Sequence, residues 1–189
     1  MIKDPRKLHE ELQLQQLDQL ESHINVNERL LHQMLWFGDY SYYSHRLIYH
    51  KDTLKIETPT FAENEQGYAC AILSVPLQSF SVRIIQGKVN IGFVTYTKDF
   101  PLDNNLTQQA DAIRVVFADG TFVGPEYEIN RPKADFDLTS GVRTVSLNSE
   151  DYTISVSDQT TSIVGFKNVN TIGLFPIIAL KSGTVIQVL

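Results

Sequence analysis

Hydrophobic and polar positions follow two different periods along the chain, and the change falls near Gly38. Before it, Leu17, Leu20, Ile24, Leu31 and Met34 recur at spacings of three, four, seven and three. Such spacings place side chains on one face of an α-helix, with Asn27 at the missing heptad position. Leu8, Leu12, Leu14, Leu30 and Leu35 widen the stripe. Pro5 suits a first helical turn. Asn25, with Glu28 three residues on, forms a capping arrangement that would divide the stretch. One helix, or two over roughly 6–23 and 27–36, are the alternatives. A face this apolar must be buried, on the chain's own remainder or on another helix as in a coiled coil.

After Gly38 the period shortens to that of strands. Arg46–His50 and Leu54–Ile56 flank the turn signal Lys51-Asp52-Thr53. Further runs are Ala69–Leu73, Ser79–Ile85, Val89–Tyr96, Ala112–Phe117, Thr121–Val123, Val142–Leu147, Tyr152–Val156, Ile172–Leu180 and Thr184–Leu189. Short β-rich runs punctuated by turn residues predict an all-β sandwich or barrel. No helix-period segment separates them, which excludes a parallel α/β sheet. The predicted organisation is an N-terminal helical appendage over 1–37 and a β-sandwich over 38–189.

Composition narrows the function. The 189 residues are 42% hydrophobic and 20% charged, the balance of a globular chain. The formal net charge is −6, which leaves no general basic face for nucleic acid. No run approaches the length of a membrane-spanning helix. Cys70 is the single cysteine, so neither an internal disulfide nor a cysteine zinc cluster can form. The opening residues lack the apolar run of a secretory signal, and the expectation is an intracellular, cytoplasmic protein.

Catalysis needs convergent polar groups, and the sequence offers few. Glu126 and Glu128, and Asp135 and Asp137, stand two apart and would share a face if extended. Neither pair has the third acidic residue that a sandwich-fold glycosidase would show. Both pairs therefore read first as solvated loop or strand faces. Asp135, Asp137 and Asn130 match no calcium-loop spacing. His45 and His50, five apart, would face opposite sides of a strand, and His9, His23 and His32 have no i, i+4 pair. No GxSxG, GxGxxG or Walker sequence occurs. Cys70, inside an apolar run, reads as a small buried hydrophobe. The glycines, Gly165 and Gly92 among them, read as turn or bulge positions. No enzymatic activity, cofactor or metal is expected.

Three successive patterns resemble the SPRY (B30.2-type) family over roughly residues 45–189. Val142–Asn148 followed by Tyr152–Val156 is similar to one of its hairpins. Phe166–Val169, then Leu174–Leu180 and Lys181–Val185, resembles its closing pair of strands. Phe80–Ile84 followed by Val89–Val94 resembles its core hairpin. The chain departs from the family at Ser81, where an acidic residue is usual, and in lacking Trp from the β region, since Trp36 is its only one. The resemblance implies a bent two-sheet antiparallel sandwich of concanavalin-like topology that binds a protein partner through loops at one end.

The expected function is a non-catalytic protein-interaction or assembly module, with a carbohydrate-binding, lectin-like module as the alternative. Trp36, Phe37, Tyr40, Tyr42 and Tyr43 gather at the helix-to-sheet junction, either as a seam docking the helix or as an anchor for a partner. The polar stretches Thr97–Asp111 and Gly124–Ser140 read as surface loops, where binding sites concentrate. They supply Lys98, Asp99, Tyr127, Asn130, Asp135 and Asp137 as candidate contacts. Leu17, Leu20, Ile24, Leu31 and Met34 are the candidate helix interface, toward a partner in a larger assembly or a second copy.

Overall fold

The computed structural model describes residues 41–61, 67–73, 75–95, 99–103 and 105–189. The stripe Leu17, Leu20, Ile24, Leu31 and Met34, together with Trp36, Phe37, Tyr40 and Lys98, lies outside the described residues. Thirteen strands are described: β1 (Ser41–Tyr43), β2 (Ile48–His50), β3 (Lys55–Glu57), β4 (Ala69–Leu73), β5 (Ser79–Gln86), β6 (Val89–Thr95), β7 (Ile113–Val116), β8 (Phe122–Val123), β9 (Gly141–Asn148), β10 (Thr153–Ser157), β11 (Ser162–Phe166), β12 (Leu174–Leu180) and β13 (Val185–Val188). They form a six-stranded sheet, β1-β4-β12-β6-β7-β8, and a seven-stranded sheet, β11-β10-β9-β5-β13-β3-β2. All the pairings between these strands are antiparallel. The all-β sandwich expected from strand spacing is the observed fold.

The seven-stranded sheet has one wet face. In β5, Phe80, Val82 and Ile84 are buried while Ser79, Arg83 and Ile85 are exposed, the period of a strand with one face on a core. Its inward side chains meet Ala71, Leu73, Ile91, Phe93, Ile178 and Leu180 of the other sheet in the main core. The six-stranded sheet is buried on both faces, so β4, β6, β7 and β12 read as near-continuous apolar runs. Its outer face carries a second core of Cys70, Ile72, Val94, Ile113, Val115, Ile177 and Ala179, which Phe100, Leu102 and Leu106 pack against. Thr97–Asp111 is therefore no free loop: its described part lays three apolar side chains on the sheet. Burial also pushes the Cys70 thiol far above its ordinary range, with the Asp103 carboxylate adding to the effect.

Two expected pairings are corrected. Phe80–Ile84 and Val89–Val94 form strands β5 and β6, but they are no hairpin: β5 bonds β9 and β13, and β6 bonds β12 and β7 in the opposite sheet. The closing strands β12 and β13 likewise lie in different sheets. Adjacent strands of both segments are apolar enough to serve either sheet, so periodicity could not separate a hairpin from a crossover. The β9–β10 hairpin is as expected, with Val145 opposite Val156. Strands β1 and β11 were not expected. His45 precedes β2 and approaches Asp103 at 3.6 Å, while His50 lies in β2 and meets Glu57 at 3.1 Å.

Candidate functional site

A recess opens where β6 begins and β12 ends. Register puts Leu180 opposite Val89, and one step further Lys181 N donates to the Lys88 carbonyl at 3.1 Å. Three chain segments are knotted there by two buried threonines. Thr184 Oγ1 accepts from Lys88 N at 3.0 Å and donates to the Lys88 carbonyl at 3.1 Å. Thr58 Oγ1 donates to the Lys181 carbonyl at 2.6 Å and accepts from Thr184 N at 3.1 Å. Ser182 Oγ accepts from Phe61 N at 2.7 Å. Buried, satisfied hydrogen bonds of this kind fix backbone segments against one another, so the recess is preformed.

Aromatic rings make its walls. Tyr68 is 7% exposed, lies 6.0 Å from the Phe117 ring, and carries Lys181 Nζ at 5.4 Å from its centroid. Phe117 sits on the turn into β8, held where Asn90 Oδ1 accepts from Ala118 N at 2.9 Å. Phe61 lies under the Arg46 guanidinium at 5.0 Å. The larger lobe, about 660 Å³, adds Asn105, Thr107 and Ser182 to these walls. A second lobe of about 320 Å³ shares Tyr68, Lys88, Phe117 and Lys181 and is lined beyond them by Asp119, Asp137 and Thr139. A hydrogen bond from Thr121 N holds the Asp119 carboxyl below the usual aspartate range. A concave site with apolar walls and a few polar groups suits a ligand better than any flat face of the sandwich.

The sequence-predicted residues that are described fall elsewhere, with one exception. Asp137 lines the second lobe. Tyr42 and Tyr43 lie on β1, an edge of the six-stranded sheet, each nearly half exposed. Asp99 is exposed where the chain leaves β6. Asp135 is exposed and 3.5 Å from Arg131. Tyr127 is 78% exposed, between exposed Glu126 and buried Glu128.

Residues 124–130 seal one side of the sandwich, which corrects their description as a surface loop. Glu126 and Glu128 do not share a face: 126–128 is a 3-10 turn in which Glu126 is exposed and Glu128 buried. Glu128 takes a bidentate ion pair from Arg114 of β7, at 2.7 and 2.8 Å. Asn130 spends both its main-chain and side-chain amides, donating to the carbonyls of Gly165 and Val164 at 2.8 and 2.9 Å. Lys167 N donates to the Glu128 carbonyl at 2.8 Å. The segment thus bridges β8, the edge of one sheet, to β11, the edge of the other. Gly165 is a bulge position, as expected: it lies inside β11 where the register with β10 shifts, and a Cβ there would meet Phe122 Cε1 at 2.1 Å.

Sequence reasoning missed Phe61, Tyr68, Lys88, Phe117 and Lys181. Tyr68, Lys88, Phe117 and Lys181 adjoin strand ends and Phe61 lies beyond β3, and the pairing of β4, β12, β6 and β7 together with the Phe61–Ser182 bond brings them to one place. Among the described residues, no three His, Cys, Asp or Glu side chains converge as metal ligands, and no helix is long and apolar enough to cross a membrane.

No family model and no curated protein matches the sequence. Solved structures do match its fold. The SPRY domain of human HERC1 superposes with a TM-score of 0.56 at 13% identity, covering 81% of this chain and 96% of that one. The TRIM65 PSpry domain gives a TM-score of 0.53 at 9% identity, over 87% and 98% of the two chains. Stonustoxin gives 0.53 at 12% identity over 79% of this chain and 27% of its own. At such identities the likeness is one of fold: this chain is a SPRY-like, two-sheet antiparallel β-sandwich.

Proposed function

We propose that the chain is a non-catalytic protein-binding module that receives a segment of its partner in the recess between Phe61, Tyr68, Phe117, Lys88 and Lys181. The observation that carries this is a preformed, aromatic-walled cavity whose described polar groups are two lysines, hydroxyls and amides, with two carboxylates confined to the smaller lobe. Rigid aromatic walls give contact area at low entropic cost. The SPRY-like fold supports the same reading, as a scaffold that presents loops at its ends.

Filling the recess tests it. Thr107 is an exposed residue of the larger lobe, so Thr107→Trp adds bulk there without opening the core. Ser149→Trp, on the exposed β9–β10 turn of the other sheet, is the control. In quantitative affinity purification from the native source, proteins captured by wild type and by Ser149→Trp are expected to be lost, about tenfold or more, with Thr107→Trp. A capture profile indifferent to Thr107→Trp would remove the recess as the docking site.

The same proposal gives the stripe Leu17, Leu20, Ile24, Leu31 and Met34 an anchoring role, against a partner's helix or a second copy. What supports it is the width of the apolar face, which water does not tolerate on a lone helix. Leu20→Asp with Ile24→Asp is expected to lower the mass seen by light scattering, or to release co-purifying chains. Unchanged mass together with unchanged capture would leave the stripe without that role.

A further inference from the structure

Lys88 and Lys181 stand directly opposite each other on paired strands, one step beyond the Val89–Leu180 pair. Like charges at directly opposed positions work against folding. Among the described residues neither ammonium has a carboxylate within 4.0 Å. Lys181 instead lies over the Tyr68 ring. On a chain of net charge −6 this is a local concentration of positive charge, without a salt bridge among the described residues and placed in a cavity rather than spread over a convex face.

The negative groups of the recess are confined to one side. Asp119 and Asp137 line the smaller lobe, and both are already engaged, Asp119 by Thr121 N at 3.0 Å and Asp137 by Thr139 Oγ1 at 2.8 Å. The larger lobe has no carboxylate among its described lining. A carboxylate entering there meets two ammonium groups and, among the described lining residues, no carboxylate, and a concave, partly apolar wall strengthens that attraction over its value on open surface.

We infer that the recess recognises an acidic peptide segment, with an Asp or Glu side chain in the larger lobe beside Lys88 and Lys181 and a hydrogen-bond donor toward Asp119 and Asp137. An adjoining apolar residue would lie on Phe117. This inference rests on the protein-binding reading above and gives its ligand a chemical class and a direction. The two lysines are exposed side chains, so their replacement spares the core.

The test is selection of a phage-displayed random dodecapeptide library on the full-length chain at low salt, keeping sequences that wild type binds and Thr107→Trp does not. The retained peptides are expected to share an acidic position. Synthetic copies are expected to bind Lys88→Glu/Lys181→Glu about tenfold or more weakly, and to regain affinity for that variant when the acidic residue is changed to lysine. Added salt should weaken the wild-type complex. An unchanged denaturation midpoint for the double variant ties the loss to the charges. Retained peptides that are neutral or basic and indifferent to the two lysines would overturn the acidic class while leaving the docking recess standing. If every peptide that wild type selects also binds Thr107→Trp, so that none is retained, both fall.

Discussion

Glu128→Ala is expected to cost about 3–5 kcal/mol of folding stability, the range for breaking a buried ion pair from one side. Arg114 and Glu128 are 6% and 2% exposed, and their two hydrogen bonds engage the Nε–Nη2 edge of the guanidinium in a bidentate pair. Removing the carboxylate leaves a buried cation. Its Nη1 keeps only long contacts to Thr95 Oγ1 at 3.4 Å and the Asp111 carbonyl at 3.3 Å. The cost comes from that uncompensated charge more than from the lost attraction. Replacing both partners by apolar residues, Arg114→Met with Glu128→Leu, is therefore expected to be far milder than either single change. Urea unfolding of wild type, Glu128→Ala, the double variant and its two single changes, compared at constant m, measures this. A loss under about 1 kcal/mol for Glu128→Ala would mean that water reaches the pair. For a domain whose total stability is of the order of 5–15 kcal/mol, the expected loss is a large share.

Phe166→Ala should cost about as much, roughly 3–5 kcal/mol, for a different reason. Phe166 is 1% exposed and meets Phe122 edge to face, with centroids 5.6 Å apart and planes at 86°. Each ring also lies against a glycine of the opposite segment, Phe122 on Gly165 and Phe166 on Gly124. Those glycines let the two sheet edges approach within a ring's thickness. Deleting one ring opens a cavity that the hydrogen-bonded segment 124–130 cannot collapse to fill. The loss of the edge-to-face contact, about 0.5–1.5 kcal/mol, adds to the cavity. Thermal and urea midpoints should fall together. Because Phe166 adjoins the strand bonded by Asn130, its effect should not add simply to that of Glu128→Ala, and the double variant measures that coupling. A midpoint within error of wild type would show the two edges to be held by their backbone bonds alone.

The main lines of the β domain were legible in the chain. Ser79–Ile85 alternates apolar and polar, and it is a strand wet on one face. Ala69–Leu73 is apolar throughout, and it is a strand buried on both. The succession of β9 and β10, and of β12 and β13, resembled SPRY domains, and the fold is SPRY-like. The periodicity could not tell a hairpin from a crossover. Phe80–Ile84 and Val89–Val94 enter different sheets although a short link joins them, because either sheet could bury their inward faces equally well. Ser162–Phe166 carried too short an alternation to mark β11.

The candidate site was less legible. Polar composition marked Gly124–Ser140 as a loop for a partner, yet Glu128, Ala134 and Leu138 are buried there. A carboxylate's burial depends on whether a guanidinium meets it, and Arg114 lies fourteen positions away on another strand. The recess was invisible for the same kind of reason. Lys88 and Lys181 are ninety-three positions apart, and each alone is an ordinary strand-end lysine.

By itself, then, the sequence determined the all-β class, most strand positions and which strands have two dry faces, because these follow from side-chain period and apolar content. It also determined the single cysteine, read as buried from its apolar run, and the net charge of −6. Only the tertiary structure decided which strands share a sheet, which acidic residue is paired, and where lysines and aromatic rings converge. Those are matters of register between distant segments, and register is settled by the packing of two sheets against each other rather than by any local pattern.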